Sequence, residues 1–109
     1  MTTDLSITPA MAQQNIRFQF YHDAGHGWLE VTMMDLDKLR IKDKISSYSY
    51  MDGYKVYLEE DCDLSRFLEA YCTYYGIDRS TFFKDFTKSI YAGDYAHIRD
   101  FASYVYMSG

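Results

Sequence analysis

Hydrophobic and polar residues alternate from Asn15 to Tyr21 ("NIRFQFY"). Ile16, Phe18 and Phe20 fall on one side, Arg17 and Gln19 on the other, the period-two mark of a half-buried strand. Trp28, Leu29 and Val31 resume that character. Between them "HDAGHG" predicts a hairpin turn. Its two glycines supply positive φ at little steric cost, and Asp23 can accept backbone N–H bonds inside the turn. Asp35 to Leu39 predicts a short helix with Leu36 and Leu39 on one side. A second hairpin follows: Ile45, Tyr48 and Tyr50 lead in, Asp52-Gly53 turns, and Tyr54, Val56 and Leu58 alternate on the way out.

The period then changes. Leu64, Phe67, Leu68, Tyr71, Cys72 and Tyr75 recur at helical spacing behind Asp63, a good N-cap, and Gly76 stands where a C-cap glycine belongs. Phe82, Phe83 and Phe86 are spaced for a short helix after Asp78, with a strand as the alternative. "IRDFASYVYM" predicts a closing strand. Met1 to Gln14 has weak periodicity and holds the one proline, and it is expected to be a flexible arm. These elements predict a single α+β domain over 15–109. Its antiparallel sheet of about four strands packs on one main helix, Asp63 to Tyr75.

Composition sharpens this. With 109 residues, 48% hydrophobic and 25% charged, the chain suits one modest core. Tyrosine is abundant, at 12 residues, and its apolar ring with a polar tip serves both core and contact surface. The net charge of −5 argues against direct nucleic-acid binding, which needs clustered Lys and Arg. An acidic surface can instead meet a basic partner. Cys62 and Cys72 form no metal-type pair, and the N-terminus has neither a basic start nor a long apolar run. Both features point to the cytoplasm and away from membranes.

Several segments together carry a likeness. "YHDAGHGWLEV", "DKISSYSYMDGYKVYLEEDCDLSRFLEAY" and "IRDFASY" resemble a family of small uncharacterised phage, plasmid and bacterial proteins. Its members share Y-x-D-P-G-H-G-W, D-K-I-S-x-Y-S-Y, V-Y-L-E-E-D-C-D and I-R-x-Y-x-S-Y segments. The likeness covers most of Phe20 to Tyr104 except the middle of the last third. The chain departs from the pattern at Ala24, where proline is usual, and at Asp100-Phe101. The resemblance implies a small protein of phage type and no particular activity.

"DAGHG" is also similar to the "DPGHG" of zinc-dependent cell-wall amidases, in which the histidine binds metal after a strand. A zinc enzyme needs further ligands and a general base. His22 and Glu60 beside His26 are the candidate set, with His97 and Glu59 also within the pool. Against this, the segment explains itself as a turn. The acids of "LEEDCD" likewise suit the N-terminus of the helix behind them, whose dipole favours negative charge. Cys62 beside those acids is expected to have a raised pKa, so it makes a poor nucleophile.

The expected function is therefore a small acidic, non-enzymatic cytoplasmic protein with no cofactor. It binds a host protein, inhibiting a host nucleic-acid-binding or defence protein. Its contact residues are expected among Trp28, Tyr48, Tyr50, Tyr54, Glu59, Glu60 and Asp61. The alternatives are a small metal-dependent hydrolase centred on His26 and a self-associating accessory protein; the oligomeric state is either monomer or homodimer.

Overall fold

The computed structural model describes residues 16–106. The arm expected over 1–14 lies outside them. Strands β1 (Phe18–His22) and β2 (Gly27–Thr32) form the first hairpin, and helix α1 (Met33–Lys38) follows directly. Strands β3 (Tyr50–Asp52) and β4 (Lys55–Glu59) form the second hairpin. Helices α2 (Leu64–Tyr75) and α3 (Arg79–Asp85) then lead to β5 (Thr87–Tyr91) and a two-residue β6 (Ala102–Ser103). Short 3-10 turns at Lys42–Lys44 and His97–Asp100 fill two of the connections.

The α+β class holds, but among the described residues the sheet has six strands in the order β5-β1-β2-β4-β3-β6, where about four were expected. It is also mixed, because β5 runs parallel to β1. Parallel pairing needs a long crossover, and α2 and α3 provide it between β4 and β5. The expectation of one main helix is corrected to three helices among the described residues.

Local chemistry explains each boundary. Helix α1 is closed by a capping box: Thr32 Oγ1 accepts from Asp35 N–H, and the Asp35 carboxylate accepts from Thr32 N–H. Asp78 caps α3 by accepting from Thr81 N–H at 2.7 Å, so Phe82, Phe83 and Phe86 do belong to a helical segment and its end. Gly76 ends α2 in the left-handed region at φ 69°, as a C-cap glycine should.

Asp63 precedes α2 as expected but does not cap it with its side chain. Its buried carboxylate turns away and accepts from Ser46 N–H at 3.0 Å, Ser46 Oγ at 2.7 Å and Ser49 Oγ at 2.5 Å. Those bonds hold Ser46 to Ser49 in a turn, so the expected lead-in strand begins only at Tyr50. The expected closing strand shrinks in the same way. Ile98 and Arg99 lie in a 3-10 turn, and only Ala102–Ser103 pairs with β3.

The sheet is covered on both faces. Phe18, Leu29, Val31, Val56 and Leu58 point towards the helices and pack on Leu36, Phe67, Leu68, Tyr71 and Phe82. The alternate positions point the other way. There Trp28 and Tyr57 form a second cluster with Ala96 and Ile98, so the 92–101 segment lies across that face. Tyrosine accordingly serves both faces: Tyr71 in the main core, Tyr57 in the second, where Phe101 packs on its ring at 5.3 Å.

Candidate functional site

The turn between β1 and β2 is where the two faces are joined. Asp23 N–H donates to the His26 carbonyl at 2.9 Å, closing the hairpin. Asp23 Oδ1 accepts from Gly25 N–H and His26 N–H, both at 2.9 Å. The turn therefore forms as the residues predict, but not through positive φ at its glycines. Among the described residues that region is occupied by Gly53, Gly76, Gly93 and Arg40. Gly27 is needed for close approach instead, since a Cβ there would press into the Phe20 ring and stand 3.0 Å from Glu60 Oε1.

Asp23 also reaches across the chain. Its Oδ2 accepts from Ala96 N–H at 3.0 Å and from Arg99 Nε at 2.7 Å, while Arg99 Nη2 reaches Oδ1 at 3.0 Å. The Arg99 guanidinium, together with the backbone donors, holds the Asp23 carboxyl well below the usual carboxylate range against the opposing effect of burial. Arg99 in turn lies over the Trp28 ring at 5.1 Å and the Tyr95 ring at 5.6 Å. Periodicity carries no trace of this node. The partners stand 76 residues apart, and the local pattern marks Arg99 only as a polar position.

Beside the node opens a cleft of about 260 Å³. Trp28 and Glu59 are direct neighbours across β2 and β4, and both point into this face. Trp28 lines the cleft with only 1% of its surface exposed. Tyr48 stands at the opening, 70% exposed, and Tyr50 lies between them with its ring 6.5 Å from that of Trp28. His26, Asp61, Cys62 and Arg99 complete the wall.

Glu59 is the buried charge of the cleft, with 9% of its side chain exposed. Its Oε2 lies 3.1 Å from His26 Nδ1, and its Oε1 accepts from Asp61 N–H at 2.8 Å. Its own N–H donates to Ser49 Oγ at 2.9 Å. Among the described residues, His26, Glu59 and Asp61 form a group whose ligand atoms all lie within 4.8 Å of one another. Desolvation and a hydrogen bond to Glu59 push the Cys62 thiol above its ordinary pKa, as the neighbouring acids suggested, so it offers no ready thiolate. Among buried side-chain polar atoms of the described residues, the Trp28 indole N–H lacks a partner.

The structure thus brings Trp28, Tyr48, Tyr50, Glu59 and Asp61 to one cleft with His26. Tyr54 is not there: it sits in the β3–β4 turn, next to Lys55, which pairs with Thr32 at the far end of β2. His22 and Glu60 line a groove on the other side of the turn together with His26, but they do not join the close ligand group of His26, and the His22 ring lies 5.4 Å from Tyr91. His97 is 96% exposed, with Asp100 at 3.9 Å. Arg99 and Ser49 belong to the site and its support; hydrophobic periodicity marks neither, although both stand in the segments that carry the family resemblance.

Ser49 gives a direct test of that support. It is fully buried, donates to Asp63 and accepts from Glu59 N–H. Ser49→Ala leaves a buried amide and a buried carboxylate each short of a partner, and the expected loss is about 1–3 kcal/mol in urea unfolding. A change under about 0.5 kcal/mol, the level of an ordinary surface substitution, would show that the hydroxyl does not tie β4 to α2.

Comparison of the chain with protein-family models, curated proteins and solved structures gives no match. No helix among the described residues is long and apolar enough to cross a membrane.

Proposed function

We propose that this is a non-enzymatic binding protein of phage or mobile-element type that docks a basic segment of a host protein at the Trp28–Glu59 cleft. The carrying observation is that Glu59 and Asp61 share an open cleft with the exposed ring of Tyr48 on a chain of net charge −5. Carboxylates beside aromatic rings suit a lysine or arginine side chain, which gains both ion pairing and a ring face. Tyrosine contributes large contact area at low entropic cost, as binding hot spots require. The basic segment is that of a nucleic-acid-binding or defence protein, whose phosphate-binding surface supplies the complementary charge.

The test titrates a fluorescent Lys/Arg-rich peptide into the protein in the presence of a chelator, with a Glu-rich peptide as control. Tyr48→Ala and Asp61→Asn are each expected to weaken the basic peptide at least roughly fivefold, the level of a modest hot spot. Affinity is also expected to fall with added salt. Equal binding of both peptides, or variants indistinguishable from the parent, would remove the proposal.

A further inference from the structure

We infer that His26, Glu59 and Asp61 form a binding site for a divalent transition-metal ion of the zinc type. The donor set is one imidazole nitrogen with carboxylate oxygens. That combination suits zinc and its neighbours better than magnesium or calcium, which favour all-oxygen shells. His26 Nδ1 and Glu59 Oε2 are 3.1 Å apart. Two ligands of a tetrahedral zinc ion, each bound at the usual distance, stand about 3.3 Å apart. Asp61 is exposed, so its carboxylate is free to close on the same point.

The supports are those of a held site. The turn that carries His26 is pinned through Asp23 to Ala96 and Arg99, and Glu59 is oriented by Asp61 N–H on the oxygen that faces away from His26. A second observation is independent of the acids. The Trp28 indole N–H is buried without an acceptor, in a ring that lines this same cleft. The ion and a basic side chain draw on the same two carboxylates, so they exclude one another. The inference goes beyond the peptide-binding reading, and each is measured without the other's ligand.

The experiment titrates zinc chloride into chelator-treated full-length protein without peptide. It is followed by calorimetry and by the fluorescence of Trp28, the chain's one tryptophan, whose ring lies 6.1 Å from that of His26. One saturable equivalent is expected. His26→Ala and Asp61→Asn, both altering exposed side chains, should each weaken it at least roughly tenfold, no less than loss of an outer-shell partner costs. His97→Ala should leave it unchanged. Cobalt should add visible absorption bands that vanish in His26→Ala. Absence of saturation, equal affinity in His26→Ala, or loss of affinity in His97→Ala would each mean an adventitious ion only and overturn the site.

Discussion

Replacing Asp23 with alanine is expected to lower the melting temperature by roughly 10 °C or more, the scale for stranding one partner of a buried ion pair in a small domain. Five donors converge on its carboxylate: the N–H groups of Gly25, His26 and Ala96, and two nitrogens of Arg99. The substitution strands all of them at once. It also leaves the Arg99 charge pressed against Trp28 with no counter-ion. Asp23→Asn should recover only part of the loss, since an amide accepts through one oxygen and its NH2 confronts the guanidinium. Removal of both partners in Asp23→Ala/Arg99→Ala should cost less than the sum of the single changes. Thermal unfolding followed by near-ultraviolet circular dichroism checks this. A shift within about 2 °C would show that the turn is held without the node.

The same residue sets an acid limit. Its folded-state pKa is lowered, chiefly by Arg99, so its stabilisation is complete above the unfolded carboxyl value and is lost as pH falls through the folded one. The gap in stability between the parent and Asp23→Ala should therefore stay constant near neutrality and narrow below about pH 4. A gap that widened on acidification would contradict the assignment of the buried anion.

This node also marks how far the chain could be read from its sequence. The two hairpins, the α2 stripe and the helix after Asp78 all declare themselves, because each depends on near neighbours: alternation in β1, a 3.6-residue period from Leu64 to Tyr71, Gly76 at a C-cap. Strand β5 does not. Its residues, "TKSIY", are mostly exposed at the sheet edge, so no apolar alternation marks them. Its pairing with β1 is a long-range fact created by the crossover. Ser46 and Ser49 look like strand residues, yet their hydroxyls prefer the Asp63 carboxylate, and the side chain expected to cap a helix instead breaks a strand. The candidate site divides in the same way. Trp28, Tyr48, Tyr50, Glu59 and Asp61 stand out by type, while Arg99 is brought to them only by folding. Tyr54, an exposed tyrosine like Tyr48, ends at the other end of the hairpin, because which end a turn residue occupies is decided by strand register.

Phe82→Ala is expected to cost about 3–5 kcal/mol, the range for emptying a buried aromatic position. Phe82 is fully buried, with ring centroids of Phe18 at 5.1 Å, Tyr71 at 5.2 Å, Phe83 at 5.3 Å and Phe67 at 6.2 Å. Its ring packs α3 against both α2 and β1, beside the Arg79–Ser65 hydrogen bond and the Phe83–Phe20 contact. Its carbonyl accepts from Thr87 Oγ1 at 3.0 Å and from Phe86 N–H at 3.1 Å, so the same residue fixes the entry into β5. A cavity there removes packing from the main core and loosens the crossover that keeps β5 parallel to β1. Denaturant unfolding should therefore show the stability loss, and hydrogen exchange should show β5 amides opening sooner than those of β4, which lies inside the sheet. Phe83, 38% exposed, is the control, since alanine there removes a ring already partly in water and should cost under about 1.5 kcal/mol. Equal losses for the two substitutions would mean that α3 rests on the core without closing it, and that β5 is held by its backbone pairing with β1 alone.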